Sequence, residues 1–427
     1  MTNSRDPIED IKNKLDIKDI VAEYVRLEKA GTNYKAPCPF HKEKTPSFFV
    51  SPARQLWRCF GCGEGGDMFT FVQSIEGVGF PEALRSLANK AGVEIKKQDP
   101  RIRSEKNKSL EICRLTAKYF QYQIESKSGK LVEEYLKDRG LSEKSISGFK
   151  LGYAPRNSRN FIKFLADKGF THGDMEKAGV VLKLEGSGEY IGRFRGRIIF
   201  PIFDTAGNPI GFGGRAITED LARKMGIPIK DDLAKYINSP QTNIYDKSRV
   251  LYGLSDAKLD IRREDSCVVV EGYTDVILAH QNGYKNVVAS SGTALTEEQL
   301  NLIKRFTNNI FTSFDMDAAG DMATRRGITL AQQHGFNIRV IMLPKEKDPA
   351  DIFAEGETKE WDKAVENAKS IMQFYFDSTF EKYDTPSAED KRDAGKELAP
   401  ILKSIPNRIE QSHWVKELAT KLGVDID

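Results

Sequence analysis

In CVVVEGYTDV (Cys267–Val276) a run of residues suited to a buried strand stops at a carboxylate, Glu271, and a second acid, Asp275, follows four residues later. Three further runs of the same kind, NVVAS (286–290), NIFTSFD (309–315) and NIRVIML (337–343), lie downstream. Between them TEEQLNLIKRF (296–306) and MATRRGITLAQQHG (322–335) carry the apolar spacing of amphipathic helices. Strands apolar on both faces and alternating with helices predict a parallel sheet covered by helices, an α/β arrangement.

In such a sheet functional side chains gather at the carboxyl ends of the strands. Glu271 stands at one such end, with Gly272 allowing a sharp turn and Asp275 one helical turn further on. The strand NIFTSFD runs into Asp315 and Asp317, two residues apart and able to face the same way. NIRVIML leads into PKEKDPADIF, which holds Asp348 and Asp351. A single acid of this kind reads as a solvated helix cap. Three strand ends that each deliver carboxylates would repel one another unless cations intervened. Magnesium or manganese, held by carboxylates, waters and substrate phosphates, meets that need. Such ions align an attacking hydroxyl with phosphorus and stabilise developing charge.

The rest of the chain sets the context. At 427 residues it has room for about two to four domains. No apolar run approaches the roughly 18–20 residues that span a bilayer, and MTNSRDPIEDIKNKL lacks the apolar core of a secretory signal. The expected location is the cytoplasm, with no membrane partner. A net charge of +3 does not by itself call for a polyanion, so any nucleic-acid surface must be local.

Five cysteines, three of them between Cys38 and Cys62, do not form a disulfide framework. CPFH (Cys38–His41) and CFGC (Cys59–Cys62) instead offer two ligand pairs at x2 spacing, seventeen residues apart. Two such knuckles close a tetrahedron around one zinc ion, and four protein ligands make that zinc structural. Around them Arg26, Lys29, Lys35, Lys42, Lys44, Arg54 and Arg58 alternate with Tyr34, Phe40, Phe48, Phe49, Trp57 and Phe60. Cations among aromatics suit single-stranded nucleic acid, whose bases stack while its phosphates pair. The plainer reading is that these rings pack a small core.

KKQDPRIRSEKNKS (Lys96–Ser109) is polar and charged and reads as a linker. The segment GRFRGRIIFPIFDTAGNPIGFGGRAI (192–217) carries four arginines against one acid. In a strand Arg193, Arg195 and Arg197 would share one face, a ridge for phosphates. Asn238 and Ser239 of NSP offer hydrogen-bonding groups to an adjoining loop. Beyond Pro349 the pattern is helical, as in WDKAVENAKSIMQFYF (361–376) and QSHWVKELATKLG (411–423). The expected fold is multidomain, α+β and α/β: a zinc ribbon (1–96), a linker (97–109), a mixed α+β basic subdomain (110–262), a parallel α/β sheet (263–353) and a helical C-terminal subdomain (354–427).

EGYTD, the strand ending in DMD, and DPAD resemble the Glu and Asp motifs of the TOPRIM domain, which bacterial primases share with type IA and II topoisomerases and some nucleases. With the CPFH…CFGC ribbon and with GRFRGRIIFPIFD, IGFGGRAI, KYINSP and LYGL, most of the chain resembles a bacterial DnaG-type replicative primase. That resemblance implies a polymerase that makes short RNA primers de novo on single-stranded DNA from ribonucleoside triphosphates. It implies Glu271, Asp315 and Asp317 as ligands of catalytic Mg2+ or Mn2+, and Asp275 and Asp348 as supporting acids. Arg195, Arg197, Arg215, Lys235 and Lys247 are expected to bind template or nucleotide. One departure is Asp348-Pro349-Ala350-Asp351, where the family commonly has Asp-Pro-Asp, which leaves the role of Asp351 open. Relatives usually carry a further domain that contacts the replicative helicase, and this chain is expected to lack it. The competing readings are a topoisomerase or nuclease, which share the acidic site, and a single-strand-binding scaffold with a degenerate metal site.

Overall fold

The structure, a computed structural model, describes residues 7–93, 100–226, 234–292, 295–313, 322–344, 347–383 and 387–425. They fall into two compact units, Met1–Lys247 with Gly253–Asp265, and Ser248–Tyr252 with Ser266–Asp427.

The first unit opens with α1 (Pro7–Lys14) and α2 (Ile17–Ala22), followed by five strands, β1 (Glu28–Ala30), β2 (Asn33–Ala36), β3 (Phe48–Ser51), β4 (Leu56–Cys59) and β5 (Gly65–Gly66). They pair antiparallel in chain order. Strict alternation in FFVS and LWRC turns Phe48, Val50, Trp57 and Cys59 inward and leaves Leu56 and Arg58 outside. The inward rings meet Phe40 and Phe71, with Trp57 4.9 Å from Phe40 and 5.2 Å from Phe48. Phe71 comes from α3 (Met68–Glu76), which α4 (Phe80–Ala91) follows. Asp67 starts α3 by accepting the N–H groups of Phe69 and Thr70, each at 3.1 Å, and Gly77 ends it in the left-handed conformation that glycine adopts without strain.

Most of the stretch read as a linker lies in a helix, α5 (Pro100–Ile124). Its apolar residues Ile112, Cys113, Ala117, Phe120 and Ile124 are buried at helical spacing, which holds the polar first half in register. Next come α6 (Lys127–Asp138), α7 (Glu143–Gly148), β6 (Gly152–Ala154), α8 (Arg159–Asp167), α9 (His172–Lys177) and a hairpin of β7 (Val181–Lys183) and β8 (Tyr190–Gly192). The long strands β9 (Arg197–Phe203) and β10 (Pro209–Ala216) are followed by α10 (Glu219–Lys224) and β11 (Tyr236–Asn238). The sheet runs β11-β10-β9-β6, antiparallel throughout, with α5 across β6 and β10. Gly152 permits that approach, since a Cβ there would lie 2.7 Å from the Phe120 carbonyl carbon.

After the excursion of residues 248–252 into the second unit, α11 (Leu254–Arg263) returns to the first. Leu259 packs on the core of the ribbon, Lys258 pairs with Glu76, and Arg262 lies 5.0 Å from the Phe40 ring and donates to the Ser74 carbonyl.

In the second unit β12 (Cys267–Val270), α12 (Tyr273–Gln281), β13 (Val287–Ala289), α13 (Glu297–Lys304), β14 (Asn309–Thr312), α14 (Met322–Gln333) and β15 (Asn337–Val340) alternate as expected. The strand order is β13-β12-β14-β15, all parallel. Then come α15 (Pro349–Ala354), α16 (Thr358–Glu366), β16 (Lys369–Ser370), α17 (Ile371–Lys382), α18 (Ala388–Lys403) and α19 (Arg408–Leu422). The stretch 361–376, read as one helix, is split by β16, which closes the sheet edge antiparallel to β15. Among the described residues no helix is long and apolar enough to cross a membrane.

Candidate functional site

The two knuckles predicted from spacing meet. One ligand atom from each of Cys38, His41, Cys59 and Cys62 lies within 4.8 Å of all the others. Cys38 Sγ is 4.0 Å from Cys62 Sγ, and Cys59 Sγ is 3.7 Å from His41 Nδ1. Backbone N–H groups of Phe40, Gly61 and Cys62 point at the sulfurs of Cys38 and Cys59, the donor pattern that supports thiolate charge. Burial opposes the Cys59 thiolate, but its hydrogen-bonding surroundings, the N–H groups of Cys62 and Gly61 among them, hold the thiol below its usual value. Three thiols and one imidazole nitrogen converging in this way fit a single tetrahedral zinc ion. Glu43, which the sequence reading passed over, stands 3.3 Å from His41 Nε2. The only sequence signal was a carboxylate two residues past a ligand.

The structure sorts the aromatics around the zinc. Phe40, Phe48 and Trp57 are core, whereas Phe49 and Phe60 lie on the opposite face with ring centroids 5.5 Å apart. Phe60 is 69% exposed, and the Arg58 guanidinium lies 5.7 Å from its ring. Lys35, Phe49 and Arg58 are direct partners across β2, β3 and β4, so one row of the sheet presents cation, ring and cation. Core packing therefore accounts for Phe40, Phe48 and Trp57, and leaves Phe49 and Phe60 outside the core beside cations.

In the second unit Glu271 follows β12 directly and is exposed. The connection from β12 leads to β13 on one side, and β14 lies on the other, so β12 and β14 flank the point where strand order reverses. A crevice at the carboxyl end of the sheet opens at such a point. Asp315 and Asp317 follow β14 in sequence and lie outside the described residues. Asp275 was expected to face that crevice. It is buried instead, and its Oδ2 accepts the Gly272 N–H at 2.9 Å, which fixes the turn that carries Glu271. Asp348 and Asp351 form a reciprocal cap of α15: Asp348 Oδ1 accepts the Asp351 N–H at 2.8 Å, and Asp351 Oδ2 accepts the Asp348 N–H at 3.3 Å.

The arginine ridge does not form. Arg193 and Arg195 sit in the turn between β8 and β9, where Gly196 takes a positive φ, and Arg197 alone begins a strand. Arg195 is exposed. The Arg197 side chain is buried and donates to the carbonyls of Gly214 at 3.2 Å and Ala234 at 2.9 Å, so it ties the sheet to the chain beyond it. Burial and the nearby Arg195 charge push its pKa down. Arg215 lies between two rings that the sequence reading missed, 5.8 Å from Tyr135 and 5.6 Å from Tyr236. Lys235 is exposed, and burial lowers the pKa of Lys247. Ser239, expected to serve the loop, accepts the Phe212 N–H at 3.0 Å and locks its own segment onto β10.

A zinc ribbon in one chain with a parallel sheet that carries an exposed glutamate at its carboxyl end has the make-up of a metal-dependent enzyme of nucleic-acid chemistry. Residues 3–103 match the CHC2 zinc finger, 119–258 the N-terminal domain of the DNA primase catalytic core, and 268–353 a Toprim-like domain. The DNA primase of Clostridium acetobutylicum is 37% identical over 99% of this chain and 68% of its own length. That of Halalkalibacterium halodurans is 35% identical over 99% of this chain and 69% of its own length. The crystal structure of the Aquifex aeolicus primase (zinc binding and RNA polymerase domains) superposes with a TM-score of 0.63 at 31% identity, covering 99% of this chain and 98% of that one. The RNA polymerase domain of Mycobacterium tuberculosis primase with a DNA oligomer bearing a 6-nucleotide overhang gives 0.61 at 28% identity, over 75% of this chain and 98% of that one.

This chain belongs to the bacterial DnaG-type DNA primases, nucleotidyltransferases that synthesise RNA primers on DNA. It has one structural zinc site, and its Toprim-like domain works with Mg2+ or Mn2+. The expectation that a helicase-contacting domain is lacking is overturned. Residues 372–427 match the DnaB-helicase binding domain of primase, and they form α17, α18 and α19. Three successive helices of this kind carry no sequence signal that sets them apart from any other helical tail.

Proposed function

We propose that this primase joins ribonucleotides at the carboxyl ends of β12 and β14, with Glu271, Asp315 and Asp317 holding Mg2+ or Mn2+. The observation that carries this reading is the exposed Glu271 at the point where strand order reverses. The ions would supply charge stabilisation at phosphorus and activation of the attacking hydroxyl. Asp275 and Asp348 act by position: the first fixes the Gly272 turn, the second, with Asp351, fixes the start of α15. Arg195, Arg215, Lys235 and Lys247 meet template or nucleotide phosphates, Arg215 held between its two tyrosines. Arg197 has a structural role. The open face of the ribbon, with Lys35, Phe49, Arg58 and Phe60, stacks and pairs single-stranded template.

The division of labour follows the limits read from sequence, 1–96, 110–262, 263–353 and 354–427, except that α5 replaces the linker. Helices α17–α19 dock the replicative helicase, and the enzyme acts in the cytoplasm. The test is incorporation of labelled ribonucleotides on mixed-sequence single-stranded DNA with Mg2+ or Mn2+. Short template-dependent RNA is expected from the unaltered chain and none from Glu271→Ala or Asp315→Ala, with DNA binding retained. Undiminished synthesis by either variant would remove that residue from the metal site.

A further inference from the structure

Glu43 is not one of the four converging ligands, yet its carboxylate touches both knuckles' surroundings. Its side chain is only 11% exposed. Oε1 accepts the N–H of Cys38 at 2.7 Å and that of Ser47 at 2.9 Å. Oε2 accepts the Ser47 hydroxyl and stands 3.3 Å from His41 Nε2. The other ring nitrogen of His41, Nδ1, is the one directed at Cys59 Sγ. Gly61 comes close to this arrangement with no side chain in the way: a Cβ there would fall 2.5 Å from Nε2 and 2.8 Å from Ser47 Oγ. Ser47 Oγ in turn lies 3.2 Å from Cys59 Sγ, so a carboxylate on the first knuckle reaches a ligand of the second through one hydroxyl.

We propose that Glu43 is the positioning residue of the zinc centre: it accepts the Nε2–H of His41, so that the imidazole presents a bare Nδ1 to the metal. The inference rests on the zinc assignment and is independent of where nucleotides are joined. A neutral imidazole carries its proton on one nitrogen only, and the partner of that nitrogen decides which one is left for a metal. A carboxylate in that place also makes the ligating nitrogen more basic. The carboxylate is itself fixed by three donors from the loop 38–47, so it enters the site already oriented.

The alternative is that Glu43 only clasps the loop, and the two roles separate on the protonation of His41. The experiment uses the full chain loaded with Zn2+, and with Co2+ as a spectroscopic stand-in. Metal affinity is measured by competition with a chromophoric chelator, and the His41 ring nitrogens and the Nε2–H exchange rate by NMR. Glu43→Ala is expected to weaken zinc by about 10–100-fold, the usual cost of removing an outer partner of a ligand, and to speed exchange of the Nε2–H. Glu43→Gln retains an acceptor oxygen and should recover part of both. Ser47→Ala removes a clasp contact but leaves the imidazole partner, and should lose less affinity than Glu43→Ala with exchange at His41 unchanged. The Co2+ absorption bands report whether each variant still forms a four-ligand site. The proposal fails if Glu43→Ala binds zinc as tightly as the unaltered chain. It also fails if affinity falls equally in Ser47→Ala and Glu43→Ala while His41 Nε2–H exchange stays slow in both.

Discussion

Asp67 shows how much one side chain can do in a small module. It caps α3 through the N–H groups of Phe69 and Thr70, pairs with Lys12 at 2.8 Å, and its carbonyl accepts the Trp57 indole N–H at 3.2 Å. Burial alone would raise its pKa, but Lys12 and the Thr70 N–H outweigh burial and hold it below the usual aspartate value. A carboxyl with a depressed folded pKa stabilises the fold fully above its unfolded value, about 3.9, and loses that contribution as pH falls through the lower folded value. Acid unfolding of the ribbon, followed by Trp57 fluorescence, should therefore have an Asp67 component below about pH 4. Asp67→Asn keeps an N-cap acceptor and should flatten that component, whereas Asp67→Ala should cost about 1 kcal/mol at neutral pH. An acid limb unchanged in Asp67→Asn would refute the assignment. At this scale the sequence disclosed residue type better than direction. The four zinc ligands were legible because x2 spacing limits where their side chains can go. The turning of Asp275 and Asp348 back onto their own helix ends was not, since a capping acid and a crevice-lining acid have the same letter and the same spacing.

Among elements, β12 and β13 were legible because their short apolar runs, buried on both faces, fit little else, whereas β14 and β15 bury alternate residues only and were legible from their place in the strand–helix alternation. The start of α5 was not. Lys, Arg and Glu are good helix formers and also the staple of solvated linkers, and the difference lies in packing by residues beyond 109. The three-arginine ridge failed for a related reason: alternate residues share a face only within one strand, and a glycine with positive φ at 196 places a turn inside the motif. The seat of α5 on the antiparallel sheet gives a direct test. At Gly152 a side chain would meet Phe120 at 2.7 Å, both at its backbone carbon and at its Cβ, and a helix backbone cannot retreat by rotamer change. Gly152→Ala should cost about 1–3 kcal/mol, as overpacking does, read as a lower urea midpoint with unchanged slope. An unchanged midpoint would mean that α5 can shift away from β6.

For the molecule as a whole, the ribbon has a core of its own, built from Ile11, Val21, Phe48, Trp57, Phe71 and their neighbours. That small core closes around four ligands that need a metal to be held together. Of the three tryptophans only Trp57 belongs to it, while Trp361 and Trp414 lie in the second unit. Chelating the zinc should therefore shift Trp57 emission to the red and open the ribbon to protease. Emission from Trp361 and Trp414, isolated in a Trp57→Phe background, should not change. Single-stranded DNA binding should weaken in parallel if the open face of the ribbon is the template surface. Chelation that leaves the Trp57 signal in place would show that the metal is not what closes this core.

The return of α11 also bears on how the chain comes off the ribosome. Leu259, Lys258 and Arg262 complete contacts of the ribbon core, Lys258 with Glu76 182 residues earlier, and Arg262 with Ser74 188 residues earlier and with the more distant Phe40. The N-terminal module emerges first and can take up its metal early, yet its exposed seam stays unsealed until synthesis has passed residue 263. Vectorial synthesis thus leaves the ribbon waiting on a helix made long after its own strands.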